Sequence, residues 1–295
     1  MCCLFGFYNY GGKIKNLSRL TNLLAYNATE RGIDASGIAY KDGNRIVIHK
    51  EAKAAYDINF KHPDNIKCVK GHTRHATQGD KKKNYNNHPF PGKCRNLNFA
   101  LSHNGVIVND DELKREYHLQ RTKIATDSYA AVQMLEKRKI LNLENVKFML
   151  EQIRGGFAFS VLDSSNVLWL IRGDSPLSLV HLPNYKLYVY ASTDEILYKS
   201  LVCTSLFNEI KNGKFGEIKI EEGDILRIKP DGNILKDTFN YTDYHTVHWY
   251  DYTSDYIDEL RSVASYQGYS SEDIDTLLNE GFTPEEIEEY IYCME

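Results

Sequence analysis

The chain opens Met1-Cys2-Cys3-Leu4-Phe5-Gly6, so loss of one residue would put a reactive thiol and a free α-amine on Cys2. The thiolate is the reactive form of cysteine, with a free pKa of ~8.5, and an α-amino group titrates near ~8, so one residue could serve as nucleophile and proton acceptor together. Cys2 alone fits an early position of a buried strand equally well, with Leu4 and Phe5 following it. Four clusters downstream carry more polar and glycine residues than strand ends require. They are Arg31-Gly32-Ile33-Asp34-Ala35-Ser36-Gly37, Gly71-His72-Thr73-Arg74-His75-Ala76-Thr77-Gln78-Gly79, Ser102-His103-Asn104-Gly105-Val106-Ile107-Val108-Asn109 and Thr126-Asp127-Ser128.

In this order and at these separations, Cys2, Gly6 and the four clusters resemble the glutaminase domain of class II glutamine amidotransferases, a group of N-terminal nucleophile (Ntn) hydrolases. The flavour is that of glucosamine-6-phosphate synthase and amidophosphoribosyltransferase. His88-Pro89, Gly155-Gly156-Phe157-Ala158-Phe159, Gly173-Asp174-Ser175-Pro176-Leu177 and Ala191-Ser192-Thr193-Asp194 extend the resemblance over residues 2–230. It implies an α+β chain folded as a four-layer αββα sandwich, and hydrolysis of L-glutamine to glutamate and ammonia with no metal and no cofactor.

Acyl transfer from a primary amide needs a nucleophile, a proton shuttle, an oxyanion hole and a grip on the amino acid end of the substrate. By the resemblance, Cys2 attacks and forms a thioester, while the Asn104 side-chain amide and the Gly105 N–H stabilise the oxyanion, each such donor being worth ~3 kcal/mol. Glycine suits a backbone donor that must approach the substrate closely. Arg74 matches the glutamine α-carboxylate and Asp127 its α-ammonium, by charge. Thr77 and His88 line the same pocket, and Arg31 and His75 stand behind the nucleophile. The sequence departs from the family at Cys3 (commonly Gly), His75 (commonly Trp or Tyr) and Gln78 (frequently His). Residues 78–95, rich in Lys, Asn and Gly, read as a loop that closes over glutamine.

Composition sets outer bounds. With 295 residues and 42% hydrophobic content the chain can bury a sizeable core. No apolar run approaches the roughly 18 residues of a membrane span, and the start lacks a signal-peptide pattern, which predicts a cytoplasmic protein. Six cysteines (2, 3, 68, 94, 203 and 293) form no CxxC pair, against both a zinc knuckle and a disulfide framework. His72, His75 and His103 have no fourth partner at a zinc-like spacing. Lys81-Lys82-Lys83 lacks accompanying aromatics, so nucleic-acid binding is not expected. Arg172-Gly173-Asp174 falls inside a family match and reads as part of it.

The net charge of −4 conceals an asymmetry: residues 251–295 carry −12 and the preceding 250 carry +8. The expected domains are a glutaminase domain over 2–230, an aromatic connector over 231–256 and an acidic helical tail over 257–295. Periodicity predicts strands at 4–8, 37–40, 46–49, 67–72, 99–103, 157–162, 167–171, 187–191 and 224–228, with 41–44 as a hairpin turn. Helices are expected at 127–139 with Thr126 as N-cap, at 143–153 and at 194–201, and helical spacing recurs from Leu17 to Leu24. In the tail, Ser270 to Asp273 and Thr283 to Glu286 fit capping boxes, Gly281 suits a helix end, and Ile274, Leu277, Leu278, Phe282, Ile287, Tyr290 and Ile291 form one apolar stripe.

About 65 residues beyond the glutaminase part cannot hold a sugar isomerase, a phosphoribosyltransferase or an ATP-dependent synthetase, so the expected partner is a separate ammonia-accepting synthetase subunit. Two other readings stand beside this one. The first is an Ntn amidohydrolase acting on a different amide or a peptide, which the pairing of Arg74 with Asp127 disfavours. The second is a catalytically silent binding or regulatory module, which intact Cys2, Asn104, Gly105, Arg74 and Asp127 disfavour.

Overall fold

The computed structural model describes residues 2–242, 257, 260, 261, 264, 269–279, 282 and 287. It divides into one unit ending at Tyr241 and a second beginning at Thr242.

The first unit contains two antiparallel sheets. The seven-stranded sheet comprises β1 (Cys3–Asn9), β2 (Ala35–Asp42), β3 (Arg45–Glu51), β4 (Cys68–Arg74), β9 (Ser178–Leu182), β10 (Leu187–Ala191) and β11 (Gly216–Ile218), in the order β11-β9-β10-β1-β4-β2-β3. The six-stranded sheet comprises β5 (Phe90–Lys93), β6 (Asn98–Ile107), β7 (Gly155–Asp163), β8 (Leu168–Arg172), β12 (Asp224–Ile228) and β13 (Ile234–Thr238), in the order β13-β12-β8-β7-β6-β5.

Strand periodicity decides what each face meets. On β1, Cys3, Phe5 and Phe7 face a layer formed by α1 (Leu17–Asn27) and α5 (Asp194–Val202), packing with Leu20, Leu24, Ile196, Leu197 and Leu201. The alternate residues Leu4 and Tyr8 face inward, between the sheets, where they meet Ala158, Leu162, Leu170 and Tyr190. The outer face of the second sheet is covered by α2 (Asp110–Glu116), α3 (Ser128–Arg138) and α4 (Leu143–Gln152), through Leu113, Val132, Leu135, Val146 and Met149 packed on Phe157 and Phe159. The result is the four-layer αββα sandwich of the Ntn hydrolases, with an apolar core in each interlayer space.

Three local expectations are revised. The helix expected to be capped by Thr126 begins at Ser128, with Asp127 at the N-cap position and no side-chain cap. The Asp127 carboxylate instead accepts the Ile107 N–H on β6 at 2.7 Å, so it is used between elements and not within the helix. Residues 231–256 are not wholly a connector, because β13 pairs with β12 and the compact unit runs on to Tyr241. Several short elements, including β5, β9, β11 and β13, have no counterpart among the strands expected from periodicity.

In the second unit, Ser270 and Asp273 form the expected reciprocal cap at the head of α6 (Ser271–Asn279), with Ser270 N–H and Oγ each 2.7 Å from the Asp273 carboxylate. Leu260, Ala264, Ile274 and Ile287 are buried together, flanked by Tyr269, Leu277 and Leu278. The expected second capping box at 283–286, together with Gly281, Tyr290, Ile291 and residues 243–256, lies outside the described residues.

Candidate active site

Cys2 sits at the head of β1, half-buried, with Sγ 3.5 Å from the carbonyl oxygen of His75. Arg31 Nε donates to the Cys2 carbonyl at 2.9 Å. Leu4 donates its N–H to Ser192 Oγ at 2.9 Å and accepts the Ser192 N–H at 2.9 Å. Asn104 Nδ2 donates to that same hydroxyl at 3.3 Å. One serine just after β10 thereby links β1, at whose head Cys2 sits, to the strand that carries Asn104, across the two sheets.

Gly105 has φ +139°, and a Cβ there would lie 1.9 Å from the Gly156 carbonyl oxygen. Only glycine fits both constraints. Its register partner Phe157 gives its N–H to Asp174 at 2.8 Å and its carbonyl to the Gly173 N–H at 2.9 Å. In an antiparallel ladder opposed residues exchange both bonds or neither, so the Gly105 peptide turns away from β7. On its other side, pairing with β5 reaches only to Leu101.

Arg74 ends β4 and is buried. Nη1 donates to Asn87 Oδ1 at 2.6 Å, and Nη2 donates to the carbonyls of Gln78 and, at 3.4 Å, Gly79. Asp127 is also buried; its N–H donates to Gln78 Oε1 at 3.0 Å and Ser128 Oγ donates to Oδ1 at 3.2 Å. Gln78 therefore touches both charged residues, one through its backbone and one through its side chain.

Burial pushes the Cys2 thiol above its ordinary pKa, the Arg74 charge opposing that shift and the Asp127 charge adding to it. The neighbouring Cys3 is fully buried and pushed up to about 11, chiefly by desolvation, which leaves it inert at neutral pH. Lowered by burial, His72 and His88 are neutral. Their rings stand 4.2 Å apart, with His88 also 4.4 Å from the Phe90 ring. His103, lowered by burial and partly restored by Asp127, pairs its Nδ1 with Ser128 Oγ at 2.8 Å.

The structure thus gathers Cys2, Asn104, Gly105, Arg74, Asp127 and Arg31. His88 lies inside the protein against His72, with no hydrogen bond to either ring nitrogen among the described residues. Thr77 and the His75 side chain are exposed on the loop after β4, and His75 contributes its carbonyl instead.

Three participants escaped sequence reasoning although two of them stood in quoted motifs. Ser192 is the linker just described. Asp34 accepts the Ala76 N–H at 2.9 Å and Lys81 Nζ at 2.5 Å, pinning the loop from its outer side. Asn87 grips Arg74 and donates to the Lys81 carbonyl at 3.0 Å. A polar residue beside a catalytic motif was the available signal, but its partner is visible only in three dimensions.

Comparison with known proteins agrees with this geometry. Residues 72–199 match the family model described as a glutamine amidotransferase domain. The amidophosphoribosyltransferase of Methanocaldococcus jannaschii is 26% identical over 250 residues, covering 82% of this chain and 50% of the relative. A glutamine–fructose-6-phosphate aminotransferase (isomerizing) of Bacillus thuringiensis is 31% identical over 185 residues, covering 60% of this chain and 30% of the relative. The chain therefore spans half of the first relative's length and less than a third of the second's. Among solved structures, the glutamine phosphoribosylpyrophosphate amidotransferase of B. subtilis, complexed with ADP and GMP, superposes with a TM-score of 0.64 at 21% identity, over 82% of this chain and 50% of that one. Sequence motifs, layer order and these likenesses converge: residues 72–199 match a glutamine amidotransferase domain, and the chain has the αββα fold of the Ntn hydrolases.

Proposed function

We propose that this protein hydrolyses L-glutamine through a thioester on Cys2. Once processing makes Cys2 the first residue, its α-amine takes the thiol proton and Sγ attacks the side-chain carboxamide carbon. The tetrahedral oxyanion lies between Asn104 Nδ2 and the Gly105 N–H. Collapse expels the amide nitrogen as ammonia, protonated from the α-ammonium, and leaves the acyl group on sulfur. Water activated by the same amine then releases glutamate and regenerates the thiol.

Arg74 holds the α-carboxylate and Asp127 the α-ammonium, so a free amino acid is favoured over a peptide, which lacks one of these charges. Arg31 fixes the Cys2 carbonyl and so the direction of Sγ. His75 contributes its carbonyl beside Sγ, while Thr77 on the exposed loop and His88 buried against His72 are not among the groups assigned to the substrate. The observation that carries this reading is a buried cation and a buried anion joined through Gln78, with the cation at the end of the strand paired to β1, at whose head Cys2 sits. Burial raises the cost of leaving either charge uncompensated, and the two ends of an amino acid match both.

Ammonia passes to an acceptor outside this domain, as suggested by relatives whose chains extend well beyond the matched part. A cytoplasmic location suits a reduced Cys2; among the described residues no helix is long and apolar enough to cross a membrane. The test is glutamate and ammonia release from L-glutamine by purified protein whose N-terminal residue has been verified by mass, beside Cys2→Ala. Release that requires Cys2 supports the reading. Release by both proteins, or by neither after Met1 removal, overturns it.

A further inference from the structure

Lys50 lies on β3, at the edge of the seven-stranded sheet, opposite Gly37 of β2. A Cβ at Gly37 would fall 2.5 Å from the His88 carbonyl oxygen, 2.6 Å from Lys50 Cβ and 3.0 Å from Pro89 Cδ. Glycine at 37 therefore lets residues 87–89 lie directly on the sheet, and Lys50 reaches across them. Its Nζ donates to the Asn87 carbonyl at 2.5 Å and the Pro89 carbonyl at 3.0 Å, and stands 5.0 Å from the centroid of the Phe90 ring. Asn84 Nδ2 donates to the Lys50 carbonyl at 2.6 Å, tying the backbone of β3 to the same segment.

The other end of Asn87 is its side chain, whose Oδ1 accepts Arg74 Nη1 at 2.6 Å. Lys50, Asn87 and Arg74 thus form a relay from the sheet edge to the site. A lysine with two carbonyl acceptors and an aromatic face is a fixed staple, since each charge-assisted bond opposes rotation of the segment it joins.

We propose that Lys50 is a positioning residue of the glutamine site: by clamping Asn87 it orients the Arg74 guanidinium, and so controls glutamine affinity without touching substrate. The inference rests on the glutaminase reading above. Because Arg74 acts on the non-reacting end of glutamine, disturbing its orientation weakens ground state and transition state together, which appears in KM and spares kcat.

The ionisation of Lys50 supplies an independent signature. Burial, reinforced by the positive charge of Arg74, pulls its pKa down to about 8. The charged and titratable groups facing it are Arg74 from β4 and His88 from the clamped segment. The staple is therefore charged and closed below about pH 8 and weakens as pH rises through that value.

The experiment measures kcat and KM for L-glutamine in wild type, Lys50→Met, Lys50→Gln and Lys50→Arg between pH 6.5 and 9.5, with thermal melts to establish folding. Lys50→Met is expected to raise KM about tenfold and to leave kcat within about twofold, the scale of one lost charge-assisted bond. Lys50→Gln, with a neutral donor, should fall between, and Lys50→Arg should return KM to within about threefold of wild type. Wild-type KM should climb above pH 8 relative to Lys50→Arg, whose charge persists; ionisation of glutamine affects both equally. A loss confined to kcat, or identical KM profiles for wild type and Lys50→Arg, overturns the proposal while leaving the glutaminase reading intact. Absence of Cys2-dependent turnover in wild type overturns both.

Discussion

The two halves of the site are built differently. Cys2, Asn104, Gly105 and Ser192 stand on or directly beside strands of the two central sheets, held by ladder bonds and by one shared hydroxyl. Arg74 ends β4 and its guanidinium is held by Asn87, Gln78 and Gly79 of the segment that follows, whereas the Asp127 carboxylate is held by the Ile107 N–H of β6 and the Ser128 hydroxyl, with Gln78 reaching only its backbone N–H. A bond-forming group must be placed within a fraction of an ångström, and a sheet does that best. A recognition group must admit and release its ligand, and a loop can repack to allow it. On the proposed reading, rigidity sits under the chemistry, and the adjustable part is the segment that holds Arg74.

Breaking the strand-built half should cost most, and in turnover. Cys2→Ala is expected to reduce glutamate release to background, a loss of at least about 10⁴-fold, since no other group can form the thioester. Cys3→Ala should keep most of the activity, because that thiol is buried and held protonated. Equal loss in both, measured on folded protein, would contradict the division. Next is Asn104→Ala, expected to lower kcat by about 10²- to 10³-fold with little change in KM, as for other oxyanion donors. It should also leave Ser192 Oγ with one bond fewer, a change that NMR at the Leu4 amide would register.

Breaking the loop-built half should appear in KM. Arg74→Lys keeps the charge but cannot reproduce the fork that spans Asn87, Gln78 and Gly79, and is expected to raise KM about 10- to 100-fold. If kcat fell instead, the recognition group would be acting in the chemical step. The smallest effect belongs to the outer latch. Lys81→Met removes an ion pair whose lysine is 52% exposed and should raise KM less than about threefold, with the difference fading in high salt.

The pH dependence of the latch has a definite sign. Burial would raise the Asp34 pKa, but the Ala76 N–H and Lys81 outweigh it and hold the carboxyl below its ordinary value. A depressed carboxyl contributes throughout the range above the normal carboxylate pKa and loses that contribution only as pH falls through the lowered one. The Lys81→Met difference should therefore be flat through neutral pH, whereas the Lys50 signature turns on near pH 8.

Legibility differed between the halves in the same way. Cys2 stood out by its place next to Met1, whereas Asn104 and Gly105 were singled out only through the family resemblance. Arg74 and Asp127 were readable by charge, but not their mutual contact Gln78, which the sequence marked only as a departure from the family. Thr126 misled because a threonine before a helix usually caps it, while here Asp127 takes the N-cap position and turns its carboxylate to β6. Ser192 and Asn87 act on partners 88 and 13 residues away, separations that no local pattern encodes.

Motif order carried the family resemblance, which implied the αββα class, and alternating polarity marked the strands on or beside which Cys2, Asn104 and Gly105 stand. These follow from the sequence because periodicity and charge are properties of neighbouring residues. Only the tertiary structure decided that Ser192 joins the sheets, that Lys50 reaches Arg74 through Asn87, and that His88 lies against His72. Those facts depend on which strand edges and loops come together, and that is settled by burial across the whole chain and not by any segment of it.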